Sequence, residues 1–161
     1  LADTDREAWW RRIAWVPQRP ALVAGTVADN ITLGNAADDD SVLAVLNAAG
    51  GAELDPERVL GEGGSGLSAG QKQRVAVARA LLRCTGGADL LLLDEPTEHL
   101  DRDNEATVLR AITALAHDPV TPRCVLMATH RPEAIAVADR VVRLDANPRD
   151  ERADDHAASV G

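Results

Sequence analysis

Leu90-Leu91-Leu92-Leu93 runs directly into Asp94-Glu95-Pro96. An apolar run of this length with no polar residue at alternate positions suits a strand buried on both faces of a parallel sheet. In open α/β sheets, ligands bind beyond the carboxyl ends of the strands. Two carboxylates at such an end can do separate work. Asp94 suits a Mg²⁺ held largely through waters. Glu95 suits a base that polarises water for attack on a γ-phosphate. The plainer alternative is a strand that merely ends in acidic loop residues.

The rest of the chain supplies partners for that strand. Ile13-Ala14-Trp15-Val16 reads as a short strand stopped by Pro17. Residues 19–35, with Pro20, Gly25 and Gly34, read as loop with a turn of helix near Ala28 to Ile31. Asp38-Asp39-Asp40-Ser41 starts a helix whose apolar positions Val42, Val45, Leu46 and Ala49 keep helical spacing, and Gly50-Gly51 ends it. Residues 52–66 are polar and glycine-rich. A long helix is expected from about Ala69 to Arg83, with Val75, Ala78 and Leu82 on one face, and Gly86-Gly87 breaks the chain. Residues 102–116 form a further helix with Val108, Ile112 and Leu115 inward. Cys124 to Ala128 reads as a second buried strand, Arg131 to Ala138 as a short helix and Arg140 to Leu144 as a last strand. Strands alternating with helices give an α/β fold with a parallel sheet. Asp145 to Gly161, rich in Asp, Arg and Ala, reads as a disordered tail.

Composition narrows the function classes. The 161 residues suit one domain with a core of its own. With no Phe, no Tyr and only three Trp, that core must come from Leu, Val, Ile and Ala. A formal net charge of −9 without a basic stripe argues against nucleic acid as the main partner. Cys84 and Cys124 make no CxxC or metal spacing and read as buried or half-buried free thiols of a reducing cytosol. No stretch approaches the roughly 20 apolar residues of a membrane span, and no secretory signal pattern opens the sequence.

Ser68-Ala69-Gly70-Gln71 carries the second chemical signal. Ser followed three residues later by Gln is a capping box, so Ser68 begins the long helix. Gly70 keeps side chains clear of an incoming ligand. The first-turn N–H groups, the helix dipole and the Ser68 hydroxyl then form an anion site. An ordinary helix cap is the bland alternative. What decides between them is the continuation, Lys72 to Ala80, which leads within 20 residues to the Leu90–Glu95 strand.

LSAGQKQRVAVARALL followed by LLLLDEPT resembles the signature and Walker B motifs of the ABC ATPase family. The resemblance runs from residue 1 to about 145. It implies a P-loop NTPase-type parallel sheet core (about 86–145) with an inserted α-helical subdomain (about 19–85). It implies ATP and Mg²⁺ as cofactors. On it, Leu67, Ser68, Ala69, Gly70 and Gln71 form the signature that contacts nucleotide, Asp94 and Gln18 serve the metal, and Glu95 is the catalytic base. Gln18 matches the Q-loop glutamine, which also meets the attacking water and reports to a membrane partner. Asp101, in Glu98-His99-Leu100-Asp101, matches the D-loop aspartate, while by itself it reads as the N-cap of the 102–116 helix. His130 matches the switch histidine that contacts the γ-phosphate.

Within the family, Val16 to Pro20 followed by Ala24 to Ile31 resembles the exporter-type subgroup. Leu60 to Gly64 and Thr97 to Asp101 are similar to CydD-type subunits of exporters associated with thiol (glutathione, cysteine) export and cytochrome bd assembly. The resemblance implies a second ABC ATPase domain packed head to tail, a transmembrane domain near the Glu62 region, and a place on the cytoplasmic face of the inner membrane.

The match departs in three places. Ala69 stands where a glycine is usual, and Glu98-His99 where Ser-Ala is commoner. No G-x-x-x-x-G-K-[S/T] occurs, so the lysine and backbone cradle for the β- and γ-phosphates are not in these residues. In the family that loop, including Walker A, precedes the Q-loop by tens of residues, and only 17 residues precede Gln18. The expectation is a truncated N-terminal part and an isolated chain without ATPase activity. Two rivals to an ATP-hydrolysing transporter subunit follow: a non-catalytic module lending its signature helix to a partner's ATP, and a soluble, non-transport ABC ATPase.

Overall fold

The computed structural model describes residues 5–144. Three parallel strands, β1 (Ile13–Val16), β4 (Leu90–Asp94) and β5 (Cys124–Ala128), form a sheet in the order β1-β4-β5. Their register aligns Ile13, Leu90 and Cys124 at one end and Val16, Leu93 and Met127 toward the other. The carboxyl ends of all three strands therefore share one edge. Gln18, Glu95 and His130 each follow a strand at that edge, which positions the site.

One helix organises the remainder. α4 (Ala69–Thr85) buries Val75, Ala76, Val77, Ala78, Ala80, Leu81, Leu82 and Cys84. It packs on β1 and β4 with one flank and on α2 (Val27–Thr32) and α3 (Asp39–Ala48) with others. The alanines let its neighbours approach closely, and burying each Val or Leu stabilises the fold by about 1.5–3 kcal/mol. Two of its arginines anchor it to backbone carbonyls outside the helix. The Arg79 Nε donates to the Asn30 carbonyl at 2.7 Å, and the Arg83 Nε to that of Ile13 at 3.2 Å.

α4 begins where the sequence places it. Ser68 Oγ accepts from the Gln71 N–H at 3.2 Å, and Gln71 Oε1 accepts from the Ser68 N–H at 3.0 Å. It runs two residues past Arg83, to Thr85. α3 is N-capped by Asp38 and followed by Gly50 at φ +72°, a left-handed turn that suits glycine. α5 (Arg102–Ala116) buries Val108, Leu109 and Ile112, with Leu115 half-buried.

Elsewhere the sequence reading needs correction. α1 (Arg6–Arg11) buries no residue, so no apolar period announces it. Residues 19–35 hold β2 (Gly25–Thr26) as well as α2, and β2 pairs antiparallel with β3 (Val59–Leu60) inside the glycine-rich segment. β4 is not buried on both faces. Leu91 and Leu93 turn inward, whereas Leu90 and Leu92 are half-buried. Their face also carries Trp15 and Leu126, which are 60% and 66% exposed; no described residue covers it. β5 is likewise not a buried strand: Cys124, Leu126 and Ala128 are exposed. The Cys124 thiol is thus exposed rather than buried, while Cys84 is buried as expected. α6 is shorter than read, Pro132–Ala136. Arg140 to Leu144 forms no strand, because no described strand lies beside it to complete a ladder, and Val142 and Leu144 stand exposed. The tail from Asp145 onward lies outside the described residues.

Candidate active site

The carboxyl edge of the sheet brings four of the expected residues to one side. Asp94 ends β4 with an exposed side chain. Glu95 follows at φ +45°, an uncommon conformation for a residue with a Cβ and one that costs roughly 1 kcal/mol or more. Its backbone N–H donates to the Ala128 carbonyl at 2.9 Å, which ties it to the end of β5. The turn aims the carboxylate at the loop after β5.

That carboxylate is well satisfied. Glu95 Oε1 accepts from the His130 Nδ1 at 2.8 Å and from the His130 amide at 3.1 Å. Glu95 Oε2 accepts from the Thr129 hydroxyl at 3.1 Å. Because an ionised carboxylate only accepts, the proton of neutral His130 sits on Nδ1. The histidine side chain is 78% exposed and the glutamate 15%, so His130 Nε2 faces outward while its other nitrogen is anchored. Gln18, exposed beyond β1, donates from Nε2 to Glu98 Oε2 at 3.0 Å. Its carboxamide oxygen is left free of that contact.

A second cluster forms where α4 starts. Ser68, Ala69, Gly70, Arg74, His99, Leu100, Asp101 and Asn104 line a depression of about 340 Å³. Gly70 has a packing reason here: a Cβ added to it would lie 2.6 Å from the His99 carbonyl oxygen. Ser68 and Ala69 are exposed, but Leu67 points into the core and the Gln71 side chain is spent on the cap. Asp101 caps α5, accepting from the Asn104 amide at 2.9 Å and its side chain at 2.8 Å. The two clusters share no direct hydrogen bond among the expected residues. The segment from Glu95 to Asp101 connects them.

Sequence reasoning missed two arginine anchors. Arg74 is nearly buried; it pairs with Glu53 at 2.5 Å and also donates to the Gly50 carbonyl. Arg131 binds Glu105 through Nε at 2.6 Å and Nη2 at 2.5 Å, and Thr97 donates to the same Glu105 at 3.0 Å. Arg131 holds the Glu105 carboxyl below the ordinary carboxylate range. One signal was available: Glu105 occupies the stripe that Val108, Leu109 and Ile112 bury, and a carboxylate there requires a buried partner.

The donors at the sheet edge suit a hard cation. Asp94 and the Gln18 carboxamide offer oxygen, and Mg²⁺ commonly takes one or two carboxylates together with substrate phosphates. Among the described residues no cluster of three or more His, Cys, Asp or Glu side chains could hold a metal by itself.

Against known families, the ABC transporter family model matches residues 1–98. The chain belongs to the ABC transporter family. The matched stretch includes Gln18, the Leu67–Gln71 signature, Asp94 and Glu95. Relatives extend the likeness past it. The glutathione/L-cysteine transport system ATP-binding/permease protein CydD of Haemophilus influenzae is 39% identical over 88% of this chain and 24% of its own length. The mycobactin import ATP-binding/permease protein IrtB of Mycolicibacterium thermoresistibile is 42% identical over 91% of this chain and 25% of its own. A bacterial Atm1-family ABC exporter with ATP bound superposes with a TM-score of 0.72 at 31% identity, over 84% of this chain and 24% of that one. The chain thus spans about a quarter of the length of these ABC proteins. Among its described residues no helix is long and apolar enough to cross a membrane.

Proposed function

We propose that this chain is part of the ATP-binding and ATP-hydrolysing domain of an ABC transporter, coupled to transmembrane transport. The carrying observation is the Glu95–His130 pair, joined at 2.8 Å beside Asp94 on the carboxyl edge of the sheet. In this reading Glu95 takes the proton of the attacking water. His130, anchored through Nδ1, would present Nε2 toward the γ-phosphate, and Asp94 with Gln18 would hold Mg²⁺. The bound Mg²⁺ supplies charge neutralisation on the phosphates. The chain divides functionally into a helical part, about 19–85, and a catalytic part, about 86–145.

The test is ATP turnover in an intact transporter that contains this chain. Glu95→Gln is expected to lower turnover by about 10²- to 10⁴-fold and to leave ATP binding in place. Turnover at the wild-type rate would overturn the assignment.

A second role is favoured by the depression at the start of α4. Ser68 and Ala69 are exposed at an anion-suited helix terminus, and no phosphate-gripping motif occurs in these residues. The signature would then close over ATP held by a second ABC domain, head to tail. For the isolated chain this non-catalytic role is the expected one. The domain would work on the cytoplasmic face of the inner membrane, attached through a transmembrane domain. As cargo, thiols such as cysteine or glutathione, serving cytochrome bd assembly, follow the CydD likeness. The equally similar IrtB is named for mycobactin, so competition by the two ligand classes in a vesicle transport assay decides the cargo.

A further inference from the structure

Glu105 lies in the first turns of α5 and its side chain is 3% exposed. It accepts three hydrogen bonds, one from Thr97 Oγ1 at 3.0 Å and two from Arg131, through Nε at 2.6 Å and Nη2 at 2.5 Å. The placement of these donors matters more than their number. Thr97 is two residues beyond Glu95, and Arg131 is one residue beyond His130. A single buried carboxylate therefore ties down the chain just past each member of the candidate pair.

A second link closes the arrangement. The Arg131 amide donates to Thr129 Oγ1 at 3.2 Å, and that hydroxyl donates to Glu95 Oε2 at 3.1 Å. Residues 129–131 are thus clasped between Glu95 on one side and Glu105 on the other. The clasp opposes two tendencies. Glu95 sits at φ +45°, a conformation that surrounding contacts must enforce. His130 is 78% exposed, and an exposed imidazole held by one side-chain bond turns readily between rotamers. The planar guanidinium of Arg131 suits the task, since its two parallel bonds fix direction as well as distance.

We propose that Glu105 is a positioning residue, which through Arg131 and Thr97 holds Glu95 and His130 in bonding register with one another. It touches neither nucleotide nor water in this scheme and acts only through its two partners. The inference rests on the reading of Glu95–His130 as the hydrolytic pair. It predicts that loss of Glu105 uncouples two side chains that it does not contact.

The test begins with histidine ¹⁵N NMR on an intact, nucleotide-free transporter that contains this chain. In the wild type, His130 is expected in the Nδ1-protonated tautomer fixed by Glu95. Glu105→Gln is expected to return His130 to the tautomer mixture of a free imidazole. Thr97→Val preserves side-chain volume and removes one of the three bonds, so it is expected to shift His130 the same way but less. It also serves where Glu105→Gln fails to fold. His130 signals unmoved in folded Glu105→Gln, or in Thr97→Val where only that variant folds, overturn the proposal. A parallel measurement on an intact transporter separates this proposal from the reading beneath it. There Glu105→Gln is expected to lower kcat by about 10- to 100-fold, the scale of a misplacement near 1 Å, with KM for ATP changed less than about twofold. Arg131→Lys, which keeps the charge but loses the planar two-bond geometry, is expected to fall between wild type and Glu105→Gln. A tautomer lost while kcat stays at the wild-type value sinks the hydrolytic reading and leaves the positioning role standing.

Discussion

Gly70→Ala separates two explanations for the glycine at the start of α4. If Gly70 exists only to clear space for a ligand, alanine there improves the free protein. Replacing Gly by Ala inside a helix contributes about 0.5–1 kcal/mol. The structure predicts the opposite sign. The new methyl would stand 2.6 Å from the His99 carbonyl oxygen, with its next neighbours at 3.6 Å. That oxygen belongs to the backbone, so it cannot swing aside as a side-chain tip would. Overpacking of this kind costs about 1–3 kcal/mol. The balance runs from about zero to a net loss of about 2.5 kcal/mol and centres near 1 kcal/mol, or a melting temperature lower by roughly 2–4 °C for a chain of this size. Thermal unfolding followed by circular dichroism measures it. Gly86→Ala is the control, since its Cβ would meet nothing nearer than 3.5 Å at an ordinary φ of −77°; its effect is expected within about 0.5 kcal/mol. If Gly70→Ala melts at or above the wild type, the contact with residues 99–100 is not what demands glycine, and ligand clearance regains the explanation.

The two thiols are expected to react unequally under native conditions. Burial pushes the Cys84 thiol up to about 11, whereas Cys124 is exposed, so iodoacetamide at neutral pH should add one label, at Cys124; comparable labelling of Cys84, read by peptide mass spectrometry, would contradict its packing. Acid should weaken the fold through the helix caps. The Thr26 amide holds the Asp29 carboxyl below its ordinary value, the Ser41 side chain and amide do so for Asp38, and the Asn104 amide for Asp101. Folded values below unfolded ones mean stability present above about pH 4 and lost as pH falls through the lower folded values. Urea midpoints measured from pH 6 to pH 3 should fall in the acid half and less steeply in Asp38→Asn; a midpoint that rises below pH 4 contradicts the sign.

The elements legible in the sequence are those whose cause is local. Ser68 and Gln71 form their capping box from within one turn, and Asp38 and Asp101 cap α3 and α5 as single residues can. The apolar stripes of α3 and α5 face inward because their period is intrinsic to the helix. The three sheet strands stand where the sequence places them, and what differs is their burial, whose cause is remote. Hydrophobicity tells that Leu90, Leu92 and Leu126 would prefer cover, but whether a neighbour supplies it depends on chain outside the strand. The same holds for Arg140 to Leu144, whose residues have strand character and no adjacent ladder. The short α1 fails in the other direction: Asp5 caps it and Arg11 pairs with Glu7 at 3.2 Å, yet it buries nothing that a periodicity could reveal.

For the candidate site, the family resemblance named the residues, and the geometry adds contacts that it did not name. Asp94, Glu95, Gln18 and His130 reach the same sheet edge because each ends or follows a parallel strand of matched register, an outcome that alternating strands and helices already imply. What spacing could not supply is the bond between them. Glu95 meets His130 from φ +45°, and on the other side of residues 129–131 the Arg131–Glu105 pair balances that bond. Each half of that balance is a tertiary contact over 26 residues or more. Glu105 was nonetheless visible as an anomaly, a carboxylate on the buried stripe of a helix. A charge in such a place is costly unless paired, so its presence required a cation nearby. The arginine that answers it stands one residue past the histidine, which makes the burial of Glu105 a constraint on the chemistry at the sheet edge as well as on the packing beneath it.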